Sequence, residues 1–440
     1  MSHTLDHFLD QLVKSFISYI NTTSLSNPLE DLFKMKIPIT FLLLTFLPIF
    51  LNAKPKPKTL HLPLVALPRP SLHSPSTSPF LDSKILNPPL TAPYKWKGLA
   101  FLAEIFVGSR RVRQFLHVDT GSSLTWIQCH PCSKCYDHIY PKYWPKDSTT
   151  YLEAECESTG ENPEFTYYHL LGKCLYEQQY ADGNYIEGTL ANEMFSIRTP
   201  DGKFEAVHDV YMGCNDRSLG QSYIGTGILG LGFGNFSLVE KLGSKFSICI
   251  GRIGEHGSTN NLILGDGANI QGYPTRIIIS HGHYMFQLES IRVGETMTSE
   301  KPLQVYVDTG STVSYLPEDL YEDVLNEVKK LIRVEPYSER PMLCYKMDAS
   351  KIPEDVDIGF EFAGGAELSV DVRSFFVATN SETLCLGIKE NSEDDQRILI
   401  GAVGIQGYNL GYDIKAQLVY QICVILLYFK NNSNKKSVRF

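Results

Sequence analysis

Asp-Thr-Gly occurs twice in this chain, each time closing an apolar, β-branched run. The copies are Phe115-Leu116-His117-Val118-Asp119-Thr120-Gly121-Ser122-Ser123 and Val305-Tyr306-Val307-Asp308-Thr309-Gly310-Ser311-Thr312. One copy means little, since an Asp after a strand commonly caps a turn. Two copies at positions 119 and 308, each leaving a strand and each followed by Ser, point to a duplicated lobe. Each lobe then offers one carboxylate to a shared seam. Few other features constrain a chain of this length as tightly.

Two carboxyl groups about 3 Å apart cannot both ionise, so they share one proton over an acidic range. The ionised member can take a proton from a water held between them, while the protonated member polarises a scissile carbonyl. The pKa values belong to the pair, so neither role attaches to Asp119 or Asp308 alone. Thr120 and Thr309 carry hydroxyls able to bond across the seam. Gly121 and Gly310 permit close backbone approach. Ser122 and Ser311 can hydrogen-bond the carboxylates.

An apolar-apolar-Gly segment follows each Asp, at Ile228-Leu229-Gly230 and at Leu399-Ile400-Gly401, and can pass beneath its turn. Trp126 is a large ring whose N–H needs a partner when buried. Tyr180-Ala181-Asp182-Gly183-Asn184 has the chemistry of a hairpin tip. A Tyr at the base of such a hairpin can close over substrate and exclude water.

From about Phe101 to Cys423 the chain resembles the pepsin-type aspartic proteases, specifically the plant nepenthesin-like group. Besides the two Asp-Thr-Gly turns, the resemblance runs through Trp126-Ile127-Gln128-Cys129, Gly227-Ile228-Leu229-Gly230-Leu231-Gly232 and Leu262-Ile263-Leu264-Gly265-Asp266. It continues in Leu288 to Gly294, Ser314-Tyr315-Leu316-Pro317 and Gly401 through Asp413. It implies an all-β, bilobal fold of two β-barrels with few short helices, and an aspartic endopeptidase acting on proteins or peptides. It also implies Asp119 and Asp308 as the catalytic dyad and Tyr180 as the flap tyrosine, with no metal or organic cofactor. The pairs it implies are Cys129–Cys132, Cys135–Cys214, Cys156–Cys174, Cys249–Cys423 and Cys344–Cys385. Four departures stand out: Gly108-Ser109-Arg110-Arg111, Ala181, Asn184 and Ala402 replace the usual family residues. Ala181 and Asn184 bear on the geometry of the flap. A non-proteolytic binding or inhibitor protein on the same scaffold is the rival reading, and the two intact turns count against it.

Composition sets the compartment and the partners. Hydrophobic residues make up 43% of 440, enough for two cores of ordinary size. The net charge of −9 without a long basic run in the matched region argues against nucleic acid. Met35-Lys36 and the apolar run Ile37 to Leu51 have the order of a secretory signal, too short for a comfortable membrane span. A signal anchor with a short cytosolic head is the alternative. Secretion makes the ten cysteines disulfides; in a reducing compartment, Cys129, Cys132 and Cys135 with His130 and His138 would suggest zinc. The expected destination is extracellular, in the apoplast, with the vacuole as the other, and the expected state is a monomer without a stable membrane span.

The expected division follows. Residues 1–34 are an artefact of gene annotation, 35–53 the signal peptide, and 54–95 a Pro- and Ser-rich propeptide or linker unable to pack easily. Residues 96–280 and 281–423 are the two lobes, and 424–440 a disordered tail. A helix is expected from Pro317 to about Ile332 with Leu320, Val324, Val328 and Leu331 inward, and a shorter one over Leu238–Leu242. Strands are expected at Thr275–Ile279 and Tyr284–Val293. Asn235-Phe236-Ser237 is the favoured glycosylation sequon, ahead of Asn431-Asn432-Ser433.

Overall fold

A computed structural model describes residues 59–66 and 101–423, with short breaks, all within the unit Pro57–Phe440. The expected leader extension, signal peptide, most of the segment 54–95, the tail and the side chain of Cys423 lie outside the described residues.

Strands dominate, and all but three of those described join one hydrogen-bonded network. The chain is all-β with a few short helices, as the resemblance implied. One group is built on the antiparallel pair Phe101–Val107 and Val112–Asp119, with the long strands Tyr185–Arg198 and Phe204–Leu219. A second group centres on His283–Val293, flanked by Leu303–Asp308 and Asp357–Phe362. A third set pairs Lys245–Ile250 with Asn261–Leu264 and with Tyr408–Asp413, which in turn pairs with Leu418–Cys423. The expected strands at Thr275–Ile279 and Tyr284–Val293 fall inside Tyr273–Ser280 and His283–Val293.

The Pro-rich stretch contradicts its expectation in one place. Leu60–Ala66 is a strand that pairs antiparallel first with Asn261–Leu264 and then with Phe101–Ala103. Leu60, Leu62 and Leu64 alternate and are buried, which supplies the stability the proline content obscured. Pro63 sits where the strand changes partner, a place where a missing N–H costs little.

The helix Glu318–Ile332 begins after Pro317 as expected. Its buried face is wider than the expected stripe: Tyr321, Leu325 and Ile332 join Leu320, Val324 and Val328, while Leu331 is only half-buried. A helix lying across a sheet buries a broad face rather than a seam. The short helix Leu238–Lys241 is capped by Ser237, whose hydroxyl accepts from the Val239 amide.

Candidate active site

Each Asp-Thr-Gly turn is held from below by a parallel strand. Gly227–Gly230 pairs with Val112–Asp119 so that Gly230 lies opposite Asp119. Ile398–Gly401 pairs with Leu303–Asp308 so that Gly401 lies opposite Asp308. The apolar-apolar-Gly segments thus do what their position suggested. Glycine is required at both ends, since a Cβ on Gly230 would stand 2.6 Å from the Ser123 backbone and one on Gly401 2.3 Å from the Val313 carbonyl. The supports are tied twice more. Thr125 Oγ1 accepts the Gly230 amide and Ser314 Oγ the Gly401 amide, at 3.2 and 3.1 Å. Sequence reasoning missed both hydroxyls, although each stands six positions after its Asp.

The two turns interlock through their threonines. Thr120 Oγ1 donates to the Val307 carbonyl at 2.7 Å and accepts the Thr309 amide at 3.1 Å. Thr309 Oγ1 donates to the Val118 carbonyl at 2.9 Å and accepts the Thr120 amide at 3.1 Å. All four bonds are buried, where geometry is best protected from water.

This crossing brings the carboxyls together. A Cβ on Gly121 would lie 2.6 Å from Asp308 Oδ1, and one on Gly310 would lie 2.5 Å from Asp119 Oδ1. Each glycine therefore packs on the opposite aspartate. Asp119 accepts from the Gly121 amide at 2.8 Å and from Ser122 Oγ. Asp308 accepts from the Gly310 amide at 2.8 Å and Ser311 Oγ at 2.7 Å. Burial first, and then the neighbouring Asp119 charge and hydrogen bond, push Asp308 up to about 7; the Ser311 hydroxyl and Gly310 amide oppose this. A carboxyl kept protonated in mild acid beside another carboxyl is equipped for general acid and base work on one water.

Tyr180 opens the turn between the strands Lys173–Gln179 and Tyr185–Arg198. Its hydroxyl accepts from Trp126 Nε1 at 2.7 Å, so the buried indole finds the partner it needed. The departures at 181 and 184 are accommodated. The residue with positive φ is Gly183, not Ala181, and Asn184 is pinned by its backbone and side-chain amides to Asp182. His117 and Tyr306 each stand two residues before an Asp, on the strand face from which that carboxyl leaves.

Two of the implied disulfides are corrected. Cys129 pairs with Cys214 and Cys132 with Cys135, replacing Cys129–Cys132 and Cys135–Cys214. The strand Trp126–Gln128 runs parallel to Phe204–Leu219 with Ile127 opposite Cys214, and the Cys129 amide bonds the Asn215 carbonyl. That register sets the Cys129 and Cys214 Cα atoms 5.4 Å apart, within bonding range. Cys156–Cys174 and Cys344–Cys385 form as implied. Cys249 is buried on Lys245–Ile250, but its implied partner is the undescribed Cys423 side chain. The cysteines of the Cys129 cluster are all taken up in disulfides, which removes the thiolates that zinc would need.

Comparison with known proteins places this geometry. The family described as Xylanase inhibitor N-terminal matches residues 101–266, and Xylanase inhibitor C-terminal matches 283–420. Aspartyl protease UND of Arabidopsis thaliana is 50% identical over 390 residues, covering 88% of this chain and 98% of its own. The chain belongs to the plant pepsin-like aspartic protease family. Its activity class is that of an aspartic endopeptidase. Aspartic proteinase nepenthesin-2 of Nepenthes gracilis is 28% identical over 67% of this chain and 70% of its own. Conglutin gamma from lupine seeds shares the fold, with a TM-score of 0.59 at 18% identity over 83% of this chain and 95% of its own. No helix among the described residues is long and apolar enough to cross a membrane.

Proposed function

We propose that the protein hydrolyses peptide bonds in acidic medium with a water held between Asp119 and Asp308. The reading rests on one observation above the others: each Asp-Thr-Gly glycine packs on the opposite aspartate while the threonines cross between the turns. One carboxyl draws the proton from water as it attacks. The other gives a proton to the carbonyl oxygen, and the pair exchanges these roles as the amine leaves. Thr120, Gly121, Ser122, Thr309, Gly310 and Ser311 hold the carboxyls, and Tyr180 with Trp126 forms the covering flap.

The same reading assigns the rest of the chain. Residues 96–280 and 281–423 are the two lobes, and 54–95 is a propeptide of which Leu60–Ala66 is the paired part. The disulfides suit the secretory pathway, with the extracellular space or the vacuole as destination. Asn235 is exposed beside the Leu238–Lys241 helix and accepts a glycan. The protein acts as a monomer on protein or peptide substrates without nucleic acid. A non-proteolytic binding role on the same scaffold is not favoured, because neither turn is damaged. Incubation of the purified protein with a peptide library in acid, with and without pepstatin, tests the proposal. Pepstatin-sensitive cleavage that Asp308→Asn abolishes supports it, and cleavage that survives Asp308→Asn overturns it.

A further inference from the structure

His117 stands two residues before Asp119 on the strand Val112–Asp119, so its side chain leaves the same face as the carboxyl. The ring is half-buried, and Nε2 is closed to solvent with no hydrogen-bond partner among the described residues. Buried polar atoms in native folds are nearly always paired, so an orphan beside a reactive pair calls for an account. His117 also feels two charges from other elements, Asp308 across the seam and Asp182 in the turn that follows Tyr180. Tyr315 feels the same two aspartates from the strand Ser314–Leu316. Both rings therefore lie within electrostatic reach of Asp308 and of the turn at Asp182.

The matching position in the other half is satisfied differently. Tyr306, two residues before Asp308, stacks on His283 with ring centres 4.5 Å apart and has Arg397 5.9 Å from its centre. Its ring thus has two neighbours of its own. Of these two side chains, His117 is the one with a polar atom closed to solvent and without a hydrogen-bond partner among the described residues.

We propose that His117 is a specificity-determining residue whose imidazole hydrogen-bonds a polar substrate side chain next to the scissile bond. Burial lowers this histidine to about 4, against the opposing pull of Asp308 and Asp182, so the ring is neutral through most of the acidic range. A neutral imidazole offers one N–H and one lone pair, which suits an amide or a hydroxyl better than an aliphatic chain. A site built to bond a polar group discriminates against analogues that lack it, because its own group is then left unpaired. The proposal rests on the reading of Asp119 and Asp308 as the reacting pair.

The test uses full-length, correctly processed wild-type protein, His117→Leu, His117→Gln and Asp308→Asn at about pH 5, where the neutral ring prevails. A library randomised on both sides of the cut identifies the preferred position. Matched peptides with Gln or Leu there then give kcat and KM separately. Wild type should favour Gln by about tenfold to a hundredfold in kcat/KM. His117→Leu should abolish or invert that ratio while still cleaving, and His117→Gln should restore part of it. A purely structural histidine would lower both peptides together. An active His117→Leu with the wild-type ratio overturns the proposal alone. A wild type that cleaves nothing, or an Asp308→Asn that still cleaves, overturns the assignment of the pair and this proposal with it.

Discussion

Asp308→Asn should stabilise the protein at neutral pH while removing its activity, and the two effects have one cause. Burial and Asp119 raise the Asp308 carboxyl from 3.8 to about 7. A folded pKa above the unfolded one means that the folded state holds the proton more tightly. The stability contributed is therefore full below about pH 4 and is lost as pH rises toward about 7. Three units at about 1.4 kcal/mol each give about 4 kcal/mol as an upper bound, and sharing of the shift with Asp119 lowers it. Asn keeps the shape, but it turns a donor toward Ser311 Oγ, which now donates to Asp308, at a cost of about 1 kcal/mol. A net gain of about 2 kcal/mol remains at pH 7, or a rise of about 3 °C in melting temperature for a chain this long. At pH 4 the gain should vanish. Turnover should fall by at least about a hundredfold, since one member of the acid–base pair is gone. Thermal melts of both proteins at pH 4 and pH 7 provide the check. An equal drop in melting temperature at both pH values would refute the reasoning, because it would mean that the carboxyl costs the fold nothing.

Thr120→Val and Thr309→Val should each destabilise by about 1–3 kcal/mol, because each removes one buried donor and one buried acceptor. Denaturant titration of the two singles and the double should show non-additive losses, since each hydroxyl accepts the other threonine's amide. Tyr180→Phe leaves the buried Trp126 N–H without its acceptor, so turnover should fall several-fold with only a small change in melting temperature. Steady-state kinetics beside a thermal melt would show whether the hydroxyl matters to closure. A non-reducing peptide map should recover Cys129–Cys214 and Cys132–Cys135; recovery of Cys129–Cys132 would contradict the strand register described above.

The geometry of the two turns was legible where their pattern repeats. Asp119 and Asp308, their glycines and serines, and the supporting Gly230 and Gly401 could be read because the same pattern occurs twice. Thr125 and Ser314 escaped because a hydroxyl six residues past an Asp has no meaning until a parallel strand brings an amide to it. The disulfide exchange at Cys129 has the same origin. The resemblance implied Cys129–Cys132 and Cys135–Cys214, whereas the parallel pairing of Trp126–Gln128 with Phe204–Leu219 brings Cys214, 85 residues from Cys129, into range. In Leu60–Ala66 the alternating leucines were visible, but the surrounding prolines outweighed them. A strand whose two partners lie on different elements cannot be recognised from its own residues.

Fold and activity rest on different residues here, and this decides what should be tested next. A structure such as conglutin gamma shares the architecture at 18% identity, so the scaffold tolerates replacement of most of its side chains. The proposed activity instead depends on a small set held at the seam, where a glycine on each side meets the opposite carboxyl within 3 Å of where a Cβ would stand. The bonds of the two turns are nearly superimposable in kind: amide to carboxylate, serine to carboxylate, threonine to the opposite strand. Symmetry of that kind can activate water but cannot choose a substrate. Choice must come from what differs between the halves, namely the flap turn near Asp182 and the side chains two residues before each aspartate. Tyr306 stacks on His283 and lies near Arg397, whereas His117 Nε2 has no hydrogen-bond partner among the described residues. His117 is one of these asymmetric positions, so selectivity should respond there before it responds anywhere in the symmetric part of the site.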